Sequence, residues 1–262
     1  LIKDQDLLNR DTQWIVDPEG GSHSIAYQQI KRGNLELGER MLYDGIAHPQ
    51  FSQPSILNLS RLYYLLGEYE EFKVLDQKLY DLGVSDSTIQ EVIIELENRN
   101  RFEEASLFLI NFLKNKSMKK YALLNLAKNQ LRLGKSNDAY LYSEEILKNE
   151  PFDKEGLEYF IESCFLLEKF SIVIDAGETY LKINQNNQKI NYFLVKSYLS
   201  TANREKAIKL FLSKNGSQKE SVLWNELEEE VYYSFGPNGK TIQNSKIPHQ
   251  EQKIRRDTFQ GR

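Results

Sequence analysis

The sequence predicts an all-α fold, a solenoid of about six helix hairpins finished by a C-terminal capping helix. Three observations carry this. First, the stretches Leu65–Phe72, Asn98–Ala105, Leu133–Ala139 and Leu167–Val173 each read as a helix end, a short polar turn and a new helix start. Aligning these turns makes Gly38, Phe72, Ala105, Ala139, Val173 and Ala207 equivalent, at spacings of 34, 33, 34, 34 and 34 residues. A fixed period of this length marks a stacked repeat. Second, helix breakers are scarce, with 14 Gly and six Pro in 262 residues, which suits long helical runs. Third, apolar residues recur three and four apart within each copy, as in Leu123, Leu126 and Ala127 before the polar Gln130. That spacing is the stripe of an amphipathic helix.

Read in order, residues 1–18 form an N-terminal cap in which Leu7, Leu8, Trp14, Ile15 and Val16 cover the first repeat. Six repeats then fill 19–216, at about 19–52, 53–85, 86–119, 120–153, 154–187 and 188–216. One hairpin cannot cover its own apolar face, so neighbours must stack and share a continuous core. Residues 217–235 read as the capping helix, with Val222, Leu223, Leu227 and Val231 on one face and Glu226, Glu228, Glu229 and Glu230 on another. From 236 to 262 the chain is polar, basic and without periodicity, a tail.

Over roughly 19–220 the pattern resembles the tetratricopeptide repeat (TPR) family, whose period is 34 residues. The early apolar position of helix A holds Ile56, Ile89, Leu123 and Leu157, with Ser22 and Asn191 in the outer copies. The following Leu position is apolar throughout: Ile25, Leu59, Val92, Leu126, Phe160 and Leu194. The small residue after it is present as Ala26, Ser60 and Ala127 but replaced by Ile93, Ile161 and Val195. Tyr69, Phe102 and Phe170 supply the turn aromatic, from which Leu35, Ser136 and Arg204 depart. Pro151 matches the closing proline, and Pro49 falls one residue early. The resemblance implies a right-handed array whose A helices line a concave groove, and a non-catalytic scaffold that binds protein. Carried over residue by residue, the partner-binding groove consists of Asn58, Arg61, Tyr64, Glu91, Tyr121, Asn125, Lys128, Arg132, Glu158, Tyr159, Glu162, Tyr192 and Lys196. Its charge alternates in sign, and Tyr and Arg supply the large directional contacts that interfaces favour. Asn58 and Asn125 fall at the central Asn of the family's carboxylate clamp for chaperone tails. The positions around them hold His23, Tyr27, Ser87 and Glu91, or Gln90, Ile94, Glu155 and Tyr159, and supply no cations. A chaperone-tail clamp is excluded on that ground.

Other chemistry is poorly represented. The net charge of −4 argues against a general polyanion binder. It divides into +4 for residues 236–262 and −8 for the rest. The tail's only aromatic is Phe259, so no stacking platform for nucleic acid is expected. His23, His48 and His249 are far apart and Cys164 is alone, which predicts no metal site and no disulfide. No cofactor is expected. Gly236-Pro237-Asn238-Gly239-Lys240-Thr241 imitates the end of a phosphate loop, but Ser234 stands where that loop needs its first Gly. No run of 18 apolar residues occurs, so no transmembrane segment is predicted. The lone cysteine favours a soluble protein of the cytoplasm over the periplasm, although a start at Leu1 rather than Met leaves the compartment open. The expected partner is a protein, held as a peptide or helix in the groove, with the 236–262 tail joining the chain to a larger complex. The alternatives are a structural subunit held by its edges and tail, and a regulatory segment of a longer enzyme or sensor.

Overall fold

The computed structural model describes residues 5–114, 117–218, 227, 230 and 231. The described residues are helical apart from the turns and irregular links between helices, and the helices pack in sequential pairs. After α1 (Gln5–Arg10), the pairs begin with α2 (Ser22–Lys31) and α3 (Leu35–Ile46). Next come α4 (Pro49–Leu66) and a second arm in two pieces, α5 (Tyr69–Lys73) and α6 (Leu75–Asp81), split where Val74 leaves helical geometry at φ −103°. The third pair is α7 (Asp86–Asn98) with α8 (Phe102–Asn111), and the fourth is α9 (Lys119–Arg132) with α10 (Ser136–Asn149). α11 (Lys154–Leu166) with α12 (Phe170–Leu181), and α13 (Gln188–Ser200) with α14 (Arg204–Gln218), complete the series.

The chain divides into two compact units, Leu1–Ile146 and Leu147–Arg262. Within the first, α2 packs on α3, α3 on α4, α4 on α7, and α8 on α9. Its core is built from side chains such as Ile30, Leu42, Ile56, Phe72, Ile89, Phe108 and Leu126, all essentially inaccessible to solvent. Within the second, α11 packs on α12, α12 on α13 and α13 on α14, around Ile161, Val173, Tyr180, Leu194 and Phe211. Leu227 and Val231 are helical and buried, while Glu230 is helical and exposed. The other residues of 217–235 whose side chains formed that expectation, the 236–262 tail and the Gly236–Thr241 motif lie outside the described residues.

The helix starts and stops explain why the chain folds into pairs. Ser85, Asp153 and Asn187 cap α7, α11 and α13, each side-chain oxygen accepting a backbone N–H three residues on, at 3.3, 2.7 and 3.2 Å. These caps satisfy donors that a helix start leaves unpaired. Pro49 opens α4, where its missing N–H costs nothing. At the other end, one turn recurs six times. Gly33, Gly67, Asn100, Gly134, Glu168 and Ala202 all have positive φ, at the same spacings of 34, 33, 34, 34 and 34 residues found in the sequence. Each donates to a carbonyl three residues back, and the next N–H reaches five back, as in Gly67 to Tyr64 and Glu68 to Tyr63. This doubly bonded left-handed turn stops helix A and returns the chain along its side.

Three copies make the turn without glycine. Asn tolerates it, but Glu168 at φ 56° and Ala202 at φ 60° carry a Cβ into left-handed space, which costs roughly 1–2 kcal/mol. Glycine's greater freedom in the unfolded chain offsets about 0.5–1 kcal/mol of any gain. Glu168→Gly is therefore expected to stabilise the second unit by roughly 0.5–1 kcal/mol. A rise in the urea midpoint at unchanged slope would show it.

Gly38, Phe72, Ala105, Ala139, Val173 and Ala207, equivalent by spacing, are all buried. At Gly38 an added Cβ would lie 2.4 Å from Ile30 Cγ1 and 3.1 Å from the Ala26 carbonyl oxygen, so α2 and α3 approach too closely for a side chain. Ile25, aligned with core residues Leu59, Val92, Leu126 and Leu194, is 50% exposed. Leu8 and Trp14 of the N-terminal segment are buried, Leu8 on α1, which packs on α2 and α4, and Trp14 beside Tyr27 of α2.

Candidate functional site: the helix A faces

In the first unit, the expected site residues on α4 are not free. Asn58 is fully buried, and both ends of its amide are used. Its Oδ1 accepts the Ile15 N–H at 2.7 Å, and its Nδ2 donates to the Ile15 carbonyl at 2.9 Å and to the His23 carbonyl at 3.4 Å. The expectation that Asn58 lines an open groove is thus not met, because the N-terminal segment already covers it. Arg61, one turn on, is also nearly buried. It pairs with Asp11 from that segment and donates to Glu104 at 2.6 Å. Tyr64 donates to Glu103, and the Arg61 guanidinium lies 5.5 Å from its ring centre. Burial, then that hydrogen bond, push the Tyr64 phenol up to about 12, so it stays a donor at neutral pH.

Beneath these residues lies an ionic cluster that sequence reading missed. Arg101 and Glu104, at the start of α8, are almost fully buried. Arg101 donates to both oxygens of Glu104, through Nε at 2.9 Å and through Nη2, and also to the Leu57 carbonyl at 3.1 Å and Ser60 Oγ at 3.3 Å. Glu104 therefore stands between two guanidiniums, and Arg61 stands between two carboxylates. His23, buried near Asp17, has its pKa held below the ordinary value by desolvation.

Further along the unit, Lys128 on α9 reaches Glu97 on α7 at 2.6 Å and Asn125 Oδ1 at 2.7 Å, while Asn125 Nδ2 donates to the Tyr121 carbonyl at 2.9 Å. Tyr121 is half-buried, and burial followed by the nearby Glu97 push its phenol up to about 12. Tyr121, Asn125, Lys128 and Arg132 recur at helical spacing on one face of α9. Glu91 and Arg132 are exposed and form no ion pair with another described residue. Ile94, one turn beyond Glu91, is 50% exposed.

In the second unit, Glu158 accepts from the buried Tyr180 hydroxyl, which itself accepts from Asn184 and Asn187 at 3.2 and 3.0 Å. Glu162 pairs with Lys189 at 2.5 Å, and Lys196 with Glu230 at 2.5 Å. Tyr192 joins Phe165 and Phe193 in an aromatic cluster, its ring centres 6.2 and 5.8 Å from theirs. Tyr159 is half-buried on the same helix as Glu158. Glu158 thus ties α11 to α12 and the loop before α13, and the charges that alternate in the sequence are largely paired with one another. Charge pairing across helices leaves no trace in residue spacing, which is why it was not anticipated.

Among the described residues, no three His, Cys, Asp or Glu side chains gather to hold a metal ion, and no helix is long and apolar enough to cross a membrane. Cys164 is buried. A separate cleft of 710 Å³ in the first unit is bounded by Asn34, Glu36, Leu62, Leu66 and Glu68. At its wall, Tyr63 donates to Glu39 at 2.6 Å and its oxygen meets that of Tyr43 at 2.9 Å.

No protein-family model and no curated protein matches this sequence. Solved structures do match the fold. YrrB, described as a TPR protein with an unusual peptide-binding site, superposes with a TM-score of 0.52 over 72% of this chain and 97% of its own, at 15% identity. PilF of Pseudomonas aeruginosa superposes with a TM-score of 0.51 over 79% of this chain and 94% of its own, at 16% identity.

Proposed function

We propose, from a fold whose helices pair as tetratricopeptide repeats do, that this chain is a non-catalytic scaffold that holds a protein segment against its A helices and supports assembly of a complex. The observation that carries this reading is the open part of the first unit's helix A faces. Glu91 and Ile94 on α7 and Arg132 on α9 stand exposed, and Tyr121 on α9 is half-buried. An exposed aliphatic side chain together with an anion and a cation free of ion pairs among the described residues suits a peptide with mixed chemistry. Most other charges on these faces are satisfied internally and serve as a rigid floor. The peptide-binding site of YrrB, a protein of similar fold, is in keeping with this reading.

The test uses the full chain carrying Glu91→Lys and Arg132→Glu, both at exposed positions where substitutions ordinarily change stability by less than about 0.5 kcal/mol. Captured from native extract, the partner is expected to fall at least tenfold relative to the unaltered chain, with helicity by circular dichroism unchanged. Equal recovery of the same partner would remove this face from the function.

A further inference from the structure

Between α1 and α2, residues 11–17 form no helix or turn, yet they are held like a bound ligand. The N–H and C=O of Ile15 both meet the single amide of Asn58, at 2.7 and 2.9 Å. The two backbone groups of a residue point to the same side only when it is extended. An amide that pairs with both reads backbone shape and not side-chain identity. Asp11 pairs with Arg61 and also accepts the Gln13 N–H at 2.9 Å. The Asp17 N–H donates to Ser24 Oγ at 2.7 Å. The Trp14 ring is buried 5.2 Å from that of Tyr27. Thr12, Val16 and Asp17 face solvent, so the segment lies on the helices rather than under them.

We propose that the α4 face around Asn58 and Arg61 is a binding site for an extended peptide, and that residues 11–17 occupy it in cis until a partner segment displaces them. The proposal rests on the scaffold reading and adds a ligand pattern to it. That pattern is a carboxylate, two spacer residues, then an aromatic and an aliphatic residue, as in Asp11-Thr12-Gln13-Trp14-Ile15. The resident segment is an imperfect occupant. The Trp14 indole N–H is buried without an acceptor, whereas buried tryptophan normally finds one. A partner with Phe at that place keeps the ring and loses the orphan donor. Displacement is opposed by the tether, because a short link holds its ligand at an effective concentration of order millimolar. A resident segment of micromolar intrinsic affinity would therefore weaken the binding of any free segment to the closed chain roughly a thousandfold.

The probe is a labelled synthetic peptide of residues 8–19, added to the full chain and to the full chain carrying Trp14→Ala and Ile15→Pro. These changes remove the ring and the N–H that Asn58 accepts. The opened chain is expected to bind the probe at least tenfold more tightly than the unaltered chain, and Asn58→Ala added to it should abolish the gain. Equal binding by opened and unaltered chains of unchanged helicity would overturn the proposal. A second measurement needs no variant. In the unaltered chain the Ile15 amide is expected to exchange its hydrogen at least a hundredfold faster than the amides of α4, and exchange at the α4 rate would overturn it equally. If a partner is captured but neither the probe nor the opening changes its capture, this proposal fails while the scaffold reading stands.

Discussion

Glu104→Ala is expected to lower the stability of the first unit by about 3–5 kcal/mol, the usual result of removing one member of a buried ion pair. Against a total near 5–15 kcal/mol for a domain, that leaves the unit marginal or unfolded. The reason is asymmetric. Arg61 would keep Asp11, but Arg101 would retain only the Leu57 carbonyl and Ser60 Oγ, neither of them charged. Its guanidinium would stay buried without a counter-ion, and its Nη1 already lacks an acceptor. Glu104→Leu combined with Arg101→Met removes both charges and should recover most of the loss, because apolar replacement of a whole buried pair is often neutral. Urea unfolding of the single and double variants measures this, and a single variant no less stable than the double would refute the account.

The cluster also shows where sequence reading stops. Period, turn positions and the small or bulky residues of helix B follow from spacing, since each is a local property repeated every 33 or 34 residues. The left-handed turns at Gly33, Gly67 and Gly134 are readable as glycine. Those at Glu168 and Ala202 are readable only because the period points to them. The placement of Arg61 in a groove followed the same register. What the register lacked was the occupant, since Asp11 and Ile15 lie 50 and 43 residues from Arg61 and Asn58 in the chain. A Trp-Ile-Val run ahead of the first repeat signalled a cap. That it would reach the central Asn position of the second repeat had no local cue. The same applies to the pairs Lys128–Glu97 and Lys189–Glu162, which join successive A helices and turn a face of alternating charge into one largely neutralised.

That neutralisation bears on how a partner is chosen. Lys128 and Lys189 are partly exposed while their partners Glu97 and Glu162 are only 12% and 20% exposed, so each pair also ties successive A helices together. Paired as they are, they remove the penalty that an apolar partner residue would face beside a lone charge. On the proposed scaffold reading, recognition would be left to the residues outside the pairs, Glu91, Ile94 and Arg132 in the first unit, and to backbone-directed groups such as Asn58. A scaffold arranged this way would select for an extended backbone and a few anchors rather than for net charge.

Ala139→Arg is expected to be as damaging as the loss of Glu104, by a different route. Ala139 is fully buried on α10, and its equivalents Ala105 and Ala207 are fully buried as well. At the equivalent Gly38 even a methyl group would overlap Ile30, which shows how closely the paired helices approach at this register. An arginine there must push the helices apart, an overpacking cost of about 1–3 kcal/mol. A guanidinium buried there without a counter-ion adds several kcal/mol more unless the helix rotates to release it. The control is Leu141→Arg, two residues on along the same helix, where the side chain is 58% exposed and the expected change is within about 0.5 kcal/mol. The same residue type in the same helix thus isolates the repeat register as the variable. Urea midpoints that fall steeply for the first variant and hold for the second would establish it, and equal midpoints would mean that α10 does not pack through Ala139.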